Sequence, residues 1–483
     1  MTSLKAQDIK SSVSKSVKIV TKSVDKVTKS ITSSLRHKKK SLKKLTIGLE
    51  AEFFILDERG KIVDKADLIL KRLNEKNKNL GSEIVKEVGK EMIEVGSYPH
   101  ESSIDTMQSL IKNIKTLIYT ADEEGLRLCP LGTYPGKFIP KIRTDARYKT
   151  KEILIGKKRF SKAGSACGFH LHSELPWGVF DKKKLRLKKL INSKNKESLV
   201  NAYNFLIAID PAISTFMQSS PFYQGKYLGK DSRMIIYRGS QELEYPNALY
   251  YNYPQFGGLP SYKHTGTNII TLIDQKHKEW FKLLEEAGIK KINFPKYRSV
   301  LDVGWNPIKV NAHGTLEQRG MDMNHILIIL SVSVLLRKIL SAIQDENFKV
   351  VTSDVAIKEP FKLENKIIYI PPDIYVKSEL QKASAYEGLS NETLWYYCKR
   401  FLSLSKIIDK KPVNGLFKNL EKMIEERKTV ADQIIDRAKE LGYKKLDKEL
   451  PAEIAAQIAL EHSKRLFEEI VLAEKYTQEF KDN

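Results

Sequence analysis

The sequence predicts an α+β fold with a largely antiparallel sheet, on three observations. Strand-like segments are scattered among helical ones without the regular alternation of a parallel βαβ array. The strand segments alternate polar with apolar residues, so each has one face to bury and one to present. The composition, 41% hydrophobic and 29% charged over 483 residues, suits a packed body rather than a disordered chain.

The first 44 residues read as a separate arm. They hold 13 Lys/Arg against 2 Asp/Glu, a net of +11 within the chain's +24. Lys15-Ser16-Val17, Lys22-Ser23-Val24 and Lys29-Ser30-Ile31 repeat, and Val13, Val17, Val20, Val24, Val27, Ile31 and Leu35 fall three or four apart. On a helix they form one apolar stripe opposite lysines. Ser, Thr and Val are mediocre helix formers. The arm is therefore expected to become helical only on a surface or partner: an anionic membrane, a coiled-coil partner or nucleic acid. The plain alternative is a solvated, lysine-rich extension. The rest of the chain is only moderately basic, which suits small anionic substrates.

The body begins at Leu45. Thr46 to Asp57 reads as a strand, with further strands near 91–96, 167–174 and 313–319. Helical patterns run over 105–124 and 196–217. Residues 416–441 and 452–480 also read as helical, the latter behind Pro451, where a first-turn proline is tolerated. Ile326 to Leu336 reads as a buried core helix, and no run reaches the roughly 18 apolar residues of a membrane span. The expected divisions are the arm at 1–44, a catalytic core at 45–350 and a helical region at 351–483 packed on it. No secretory-type apolar stretch opens the chain. Cys129, Cys167 and Cys398 have no metal-type spacing, and so sparse a set suits a reducing compartment. A cytoplasmic location is expected, with peripheral attachment to a membrane one of the options for the arm.

The strongest local feature is Ile47-Gly48-Leu49-Glu50-Ala51-Glu52-Phe53. On a strand, Glu50 and Glu52 point together away from the core beside Gly48. Two adjacent carboxylates repel unless a cation lies between them. Clustered hard oxygens suit Mg²⁺ when phosphates complete its shell. Three other segments repeat the pattern: Glu94 in Met92-Ile93-Glu94-Val95, with Glu87 and Glu91 upstream; His170 and His172 alternating with Phe169 and Leu171; and Glu317 and Arg319 alternating with Leu316 and Gln318. Any one strand is more often a solvated face. The four together favour a metal–phosphate site. The His-x-His pair is also of zinc type, but no cysteine or third histidine completes a zinc set. One histidine is expected as a ligand in a carboxylate-rich magnesium site, the other supporting it or touching substrate.

These segments resemble the glutamate–cysteine ligase type-two, or carboxylate–amine ligase, family. The resemblance rests on Gly48 to Glu52, Glu87 to Glu94, Gly132-Thr133-Tyr134-Pro135, Arg147-Tyr148, Cys167 to His172, Ser219 to Gly225, and Thr315 to Arg319 followed by Asp322, in the family's order. It implies a glutamine-synthetase-like fold, a curved, mostly antiparallel sheet with helices outside, using ATP and two or three Mg²⁺ ions. By position it implies Glu50, Glu52, Glu94, Glu317 and His170 as metal ligands, with Glu87 a weaker candidate. Arg319 would face the transferring phosphoryl group, with Glu317 beside it. Arg233 or Arg238 would bind carboxylate or phosphate, and His172 would contact the cofactor. There are departures: Trp305-Asn306-Pro307-Ile308-Lys309 lacks the arginine of an expected Arg-Pro pair, and Ser173-Glu174 stand where smaller residues are usual.

The implied reaction activates a carboxylate as an acyl phosphate and joins it to an amine, with glutamate and cysteine the leading pair. The alternatives are another amine acceptor, a catalytically weak relative that binds membrane or nucleic acid, and, with least support, a zinc hydrolase. No Walker-type glycine loop is present, so phosphate must be held by metals and cationic side chains.

Overall fold

The frame is set by the strand Ile47–Leu56 (β1). Its alternation turns Ile47, Leu49, Ala51, Phe53 and Ile55 into the core and leaves Glu50 and Glu52 on the other face. The computed structural model describes residues 44–479, apart from 77–82, 190–192, 294–296, 298 and 409–414; the arm and the expectations attached to it lie outside the described residues.

Among the described residues, β1 belongs to a seven-stranded antiparallel sheet. The other members are Ile84–Lys86 (β2), Met92–Gly96 (β3), Arg127–Cys129 (β4), Gly168–Glu174 (β5), Ile308–Asn311 (β6) and Thr315–Asp322 (β7). Their order is β6-β7-β5-β1-β3-β2, with β4 paired to the end of β1. Phe54 pairs with Met92 on one side and Cys129 on the other, so β4 continues the lane of β5. Register decides which side chains meet. Glu50 lies opposite His170, and Glu52 opposite Glu94. A second row runs Gly48, His172, Glu317, Lys309 across four strands. In β7 the register shifts between Gln318 and Met321, a bulge that spans Arg319 and Gly320.

Helices cover the apolar face. Ser103–Asp122 (α1) starts at Ser102, whose hydroxyl accepts from the Asp105 N–H, and it buries Met107, Leu110, Ile111, Ile114 and Leu117. Lys194–Phe216 (α2) is buried through its second half. Ser232–Arg238 (α3) is short and wholly buried. Ile326–Gln344 (α4) is long and apolar enough to cross a membrane, yet 78% of that stretch is buried inside the fold, packed against α2, Glu392–Ile408 (α5) and Ala452–Glu479 (α6). It is a core helix. Residues from Leu45 onward form one compact unit, so α5 and α6 share the core with the sheet.

The helix expected over 416–441 is two helices, Lys418–Glu426 and Val430–Glu440. Arg427 ends the first in a left-handed conformation, and Thr429 with Asp432 forms a capping box that starts the second.

Candidate active site

The polar face of the sheet gathers the acidic and imidazole side chains into a continuous row. Three groups of ligand atoms form, each with its members within 4.8 Å: Glu52, Glu87 and Glu94; Glu50, Glu94 and His170; Glu50, His172 and Glu317. Glu94 links the first two groups and Glu50 the last two. All six residues expected as metal ligands therefore stand in one row. His172, expected at the cofactor, stands with Glu50 and Glu317 in the third group.

Each imidazole is aimed by a partner. His170 Nδ1 lies 3.1 Å from Glu50, and His172 Nδ1 lies 2.9 Å from the Thr315 hydroxyl. The Nε2 atoms of both rings are buried without a well-formed hydrogen bond, 3.5 Å from Glu52 and 3.2 Å from Glu50 respectively. Such an arrangement suits a cation among them. No cysteine joins any group among the described residues, so the donor set is carboxylate oxygen with imidazole, the chemistry of a hard divalent ion.

The row is divided electrostatically. Burial, then Glu87, raises the Glu52 carboxyl to about 8 despite Arg233. Burial and the neighbouring Glu50, Glu87 and Glu52 raise Glu94 well above the carboxylate range. At the other end burial would raise Glu317, but Arg319, His172 and Lys309 outweigh it and hold the group at about 2. Burial likewise acts on Glu50, and His172 and His170 together bring it well below its usual value. Burial pushes His170 down to about 4. The Glu52–Glu94 end is thus a place where protein charge alone does not balance the carboxylates.

Cations flank the row. Arg319 reaches to 3.3 Å from Glu317, and Arg233 donates to the Arg319 carbonyl at 3.2 Å. Both guanidinium carbons lie 5.5 Å from the Trp305 ring, which forms an apolar plate behind them. The Nε atoms of both arginines are buried without partners among the described residues. Arg233 fits because residue 168 is glycine: a Cβ there would lie 2.2 Å from its Nη2. Gly132 allows a similar approach, since its Cβ would meet Asp322 at 2.4 Å, and Asp322 in turn accepts from the Ser219 N–H.

Arg238 is placed elsewhere. It is fully buried in a two-pronged pair with Asp210 and also donates to Gln381. A guanidinium committed to a buried carboxylate is not offered to a substrate; of the two arginines, Arg233 is the one that stands beside Arg319.

Sequence reasoning missed several contributors. Lys309 faces the row from β6, opposite Glu317, and Asn311 donates to Glu317. Lys151 lies close enough that burial, Arg319, Lys309 and Arg147 push its ammonium down to about 8. Lys309 and Asn311 share the strand parity of Glu317, a signal visible once β6 is recognised. Lys151 and Trp305 carried no such signal. Asn306, which stands before Pro307 where an Arg-Pro pair would place its arginine, is tied down by the Gln255 and Gly258 carbonyls and by Lys276.

The model of glutamate–cysteine ligase family 2 matches residues 46–324, more than half of the chain. The chain belongs to that family. A protein of Legionella pneumophila (strain Corby) named "Putative glutamate--cysteine ligase 2-1" is 29% identical over 143 residues, 29% of this chain and 36% of that protein. A Chromobacterium violaceum protein named "Putative glutamate--cysteine ligase 2" is 28% identical over 185 residues, 38% of this chain and 43% of that one. These matches span less than half the length of the relatives. Among solved structures, a bifunctional glutathione synthetase from Pasteurella multocida has the same fold at a TM-score of 0.52 and 15% identity, covering 88% of this chain and 53% of that one. The fold of this glutamate–cysteine ligase family 2 member is thus of the α+β class with an antiparallel sheet, shared with that structure.

Proposed function

We propose that the protein is an ATP-dependent ligase that forms an amide from a carboxylate and an amine through an acyl phosphate, with glutamate and cysteine as the leading substrates. The observation that carries this reading is the row of three ligand groups sharing Glu50 and Glu94, flanked by Arg319 and Arg233. The family and the relatives' names support the ligase reading.

A carboxylate is a poor electrophile in neutral water because its leaving group would be oxide. In the first step a substrate carboxylate oxygen attacks the γ-phosphorus of ATP; the bond to the bridging oxygen breaks and ADP leaves. In the second, the amine nitrogen attacks the acyl carbon, the carbon–oxygen bond to phosphate breaks, inorganic phosphate leaves, and the nitrogen loses a proton. Both steps concentrate negative charge on phosphate oxygens. Mg²⁺ held by Glu50, Glu52, Glu87, Glu94, His170, His172 and Glu317 would supply counter-charge for those oxygens. The chain supplies the rest. Arg319, buttressed by Glu317 and Trp305, presents a fixed guanidinium to the transferring group. Arg233, with its carbonyl contact to Arg319, presents a second. Lys309 and Lys151 add positive charge where a substrate carboxylate would bind.

Lys309 stands near where the family resemblance leads one to expect arginine, and this favours a second reading in which the amine acceptor differs from cysteine. One experiment tests both. The protein is incubated with ATP, Mg²⁺, glutamate and a mixture of amino acids and polyamines, and products are identified by mass spectrometry with ADP release measured. A γ-glutamyl amide formed with stoichiometric ADP supports the proposal, and the acceptor found selects between the readings. ATP hydrolysis without any amide, or no ADP at all, would contradict it.

A further inference from the structure

A second basic site stands apart from the carboxylate row. A cavity of about 830 Å³ opens between the segment 155–165 and the loops carrying Phe138, Tyr223 and Tyr245. Lys157, Lys158, Arg159 and Lys162 line it, and none of its lining residues is acidic. Surface lysines are common, but Lys162 is unusual. Its side chain is packed to 8% exposure, and no hydrogen bond or ion pair is found for its ammonium among the described residues. None of the other three basic residues has a carboxylate partner among those residues either. Burial, then the like charges of Arg159 and Lys158, push the Lys162 ammonium down. The acidic row exerts no comparable effect there.

The walls are fixed rather than loose. Arg159 donates to the Pro246 carbonyl at 3.2 Å, tying the basic segment to the loop that carries Tyr245. The Gln224 amide bonds both the N–H and the carbonyl of Phe138, at 3.2 and 2.7 Å. Tyr223 is joined to Ser165. A preformed concavity of this size matches small-molecule sites in general. Convergent, unpaired cations select a multiply charged anion, and phosphate chains satisfy several ammonium groups at once. Tyr223 and Tyr245 add two rings to the lining.

We propose that this cavity binds a small polyphosphate-bearing anion at a site separate from the ligase centre. Lys162, its stem packed and its ammonium open to the cavity, is the anchor, and Lys157, Lys158 and Arg159 are the rim. Inorganic polyphosphate and a nucleoside polyphosphate share the required chemistry, and the tyrosines would favour the second.

The test is calorimetric titration of the full chain with tripolyphosphate, and separately with ADP, in the presence of EDTA to suppress binding at the metal row. Lys162→Met, Lys158→Glu and Arg319→Ala variants are compared with wild type. One equivalent should bind to wild type and to Arg319→Ala alike, at least fivefold more weakly to Lys158→Glu, and more weakly still to Lys162→Met. Tighter binding of ADP than of tripolyphosphate would assign a nucleotide; equal binding would assign the phosphate chain alone. Lys158 is exposed, so its variant keeps the test valid even where Lys162→Met folds poorly. Binding unchanged in both lysine variants, binding lost only in Arg319→Ala, or no saturable binding to wild type at millimolar ligand would each overturn the proposal.

Discussion

At the scale of single residues the site depends on guanidinium groups held in place before substrate arrives. Arg319 is fixed by Glu317, Trp305 and the bulge that carries it. Replacing Arg319 with alanine, or Glu317 with glutamine, should lower kcat by about 10²–10³-fold, the usual cost of one electrostatic contact to a transition state. Circular dichroism should show the fold intact. Wild-type ADP release from either purified variant would contradict the assignment. Arg238 predicts the opposite phenotype. Removing one partner of its buried pair with Asp210 strands a charge in the core, a loss of roughly 3–5 kcal/mol. Arg238→Met should therefore appear as a large drop in the urea midpoint, and Arg238→Met with Asp210→Leu should recover much of it. An Arg238→Met protein of normal stability but weakened ATP binding would return Arg238 to the site. The two arginines were indistinguishable in the sequence because both follow the Ser219-Ser220-Pro221 segment. They differ because five residues along α3 turn the side chains about 140° apart, and only packing tells which side faces the sheet.

At the scale of elements, the strands of the site were legible because alternation of apolar and ionisable residues is a local signal. β1, β3, β5 and β7 all lie where that pattern placed them. The break at Arg427 was not legible, since a left-handed residue other than glycine has little local signature. Nor was the junction of α4 with α6. There the Glu469 carboxylate accepts from the Leu327 N–H at the start of α4, and His325 and His462 share a hydrogen bond of 2.7 Å in the core. Burial, then the neighbouring His462 and Arg465, holds His325 well below the usual imidazole value; burial and Arg465 hold His462 at about 3. Both rings are neutral when folded, whereas unfolded imidazoles protonate near 6.5. As pH falls below that value the unfolded chain takes up more protons than the folded one. Stability conferred by this pair is thus complete above pH 7 and declines toward pH 3. The decline approaches about 1.4 kcal/mol per pH unit for each imidazole. The raised Glu52 and Glu94 carboxyls act in the opposite sense over this range, so the pair is read by difference: in urea unfolding at pH 7, 6 and 5, His462→Gln should lose less stability with falling pH than wild type. An unchanged slope in that variant would show that the pair is not what acid attacks.

At the scale of the whole molecule, segments far apart in sequence are brought to one sheet face. The groups sharing Glu50 and Glu94 draw on β1, β3, β5, β7 and the loop before Gly89. Strand parity indicated which residues would face outward, but not that the four strands would be neighbours. That came from the order of motifs along the chain. Lys151 and Trp305 join the site only through tertiary packing, which no single segment encodes. The central claim is that this shared face holds divalent cations against nucleotide phosphates. Its most direct test is a titration of Mn²⁺, as a spectroscopic substitute for Mg²⁺, into the full chain with a non-hydrolysable ATP analogue, with bound ions counted by electron paramagnetic resonance. Two or three saturable ions in wild type, reduced in Glu50→Gln with Glu94→Gln, is the result predicted here. No saturable Mn²⁺, or the same count in the double variant as in wild type, would contradict it.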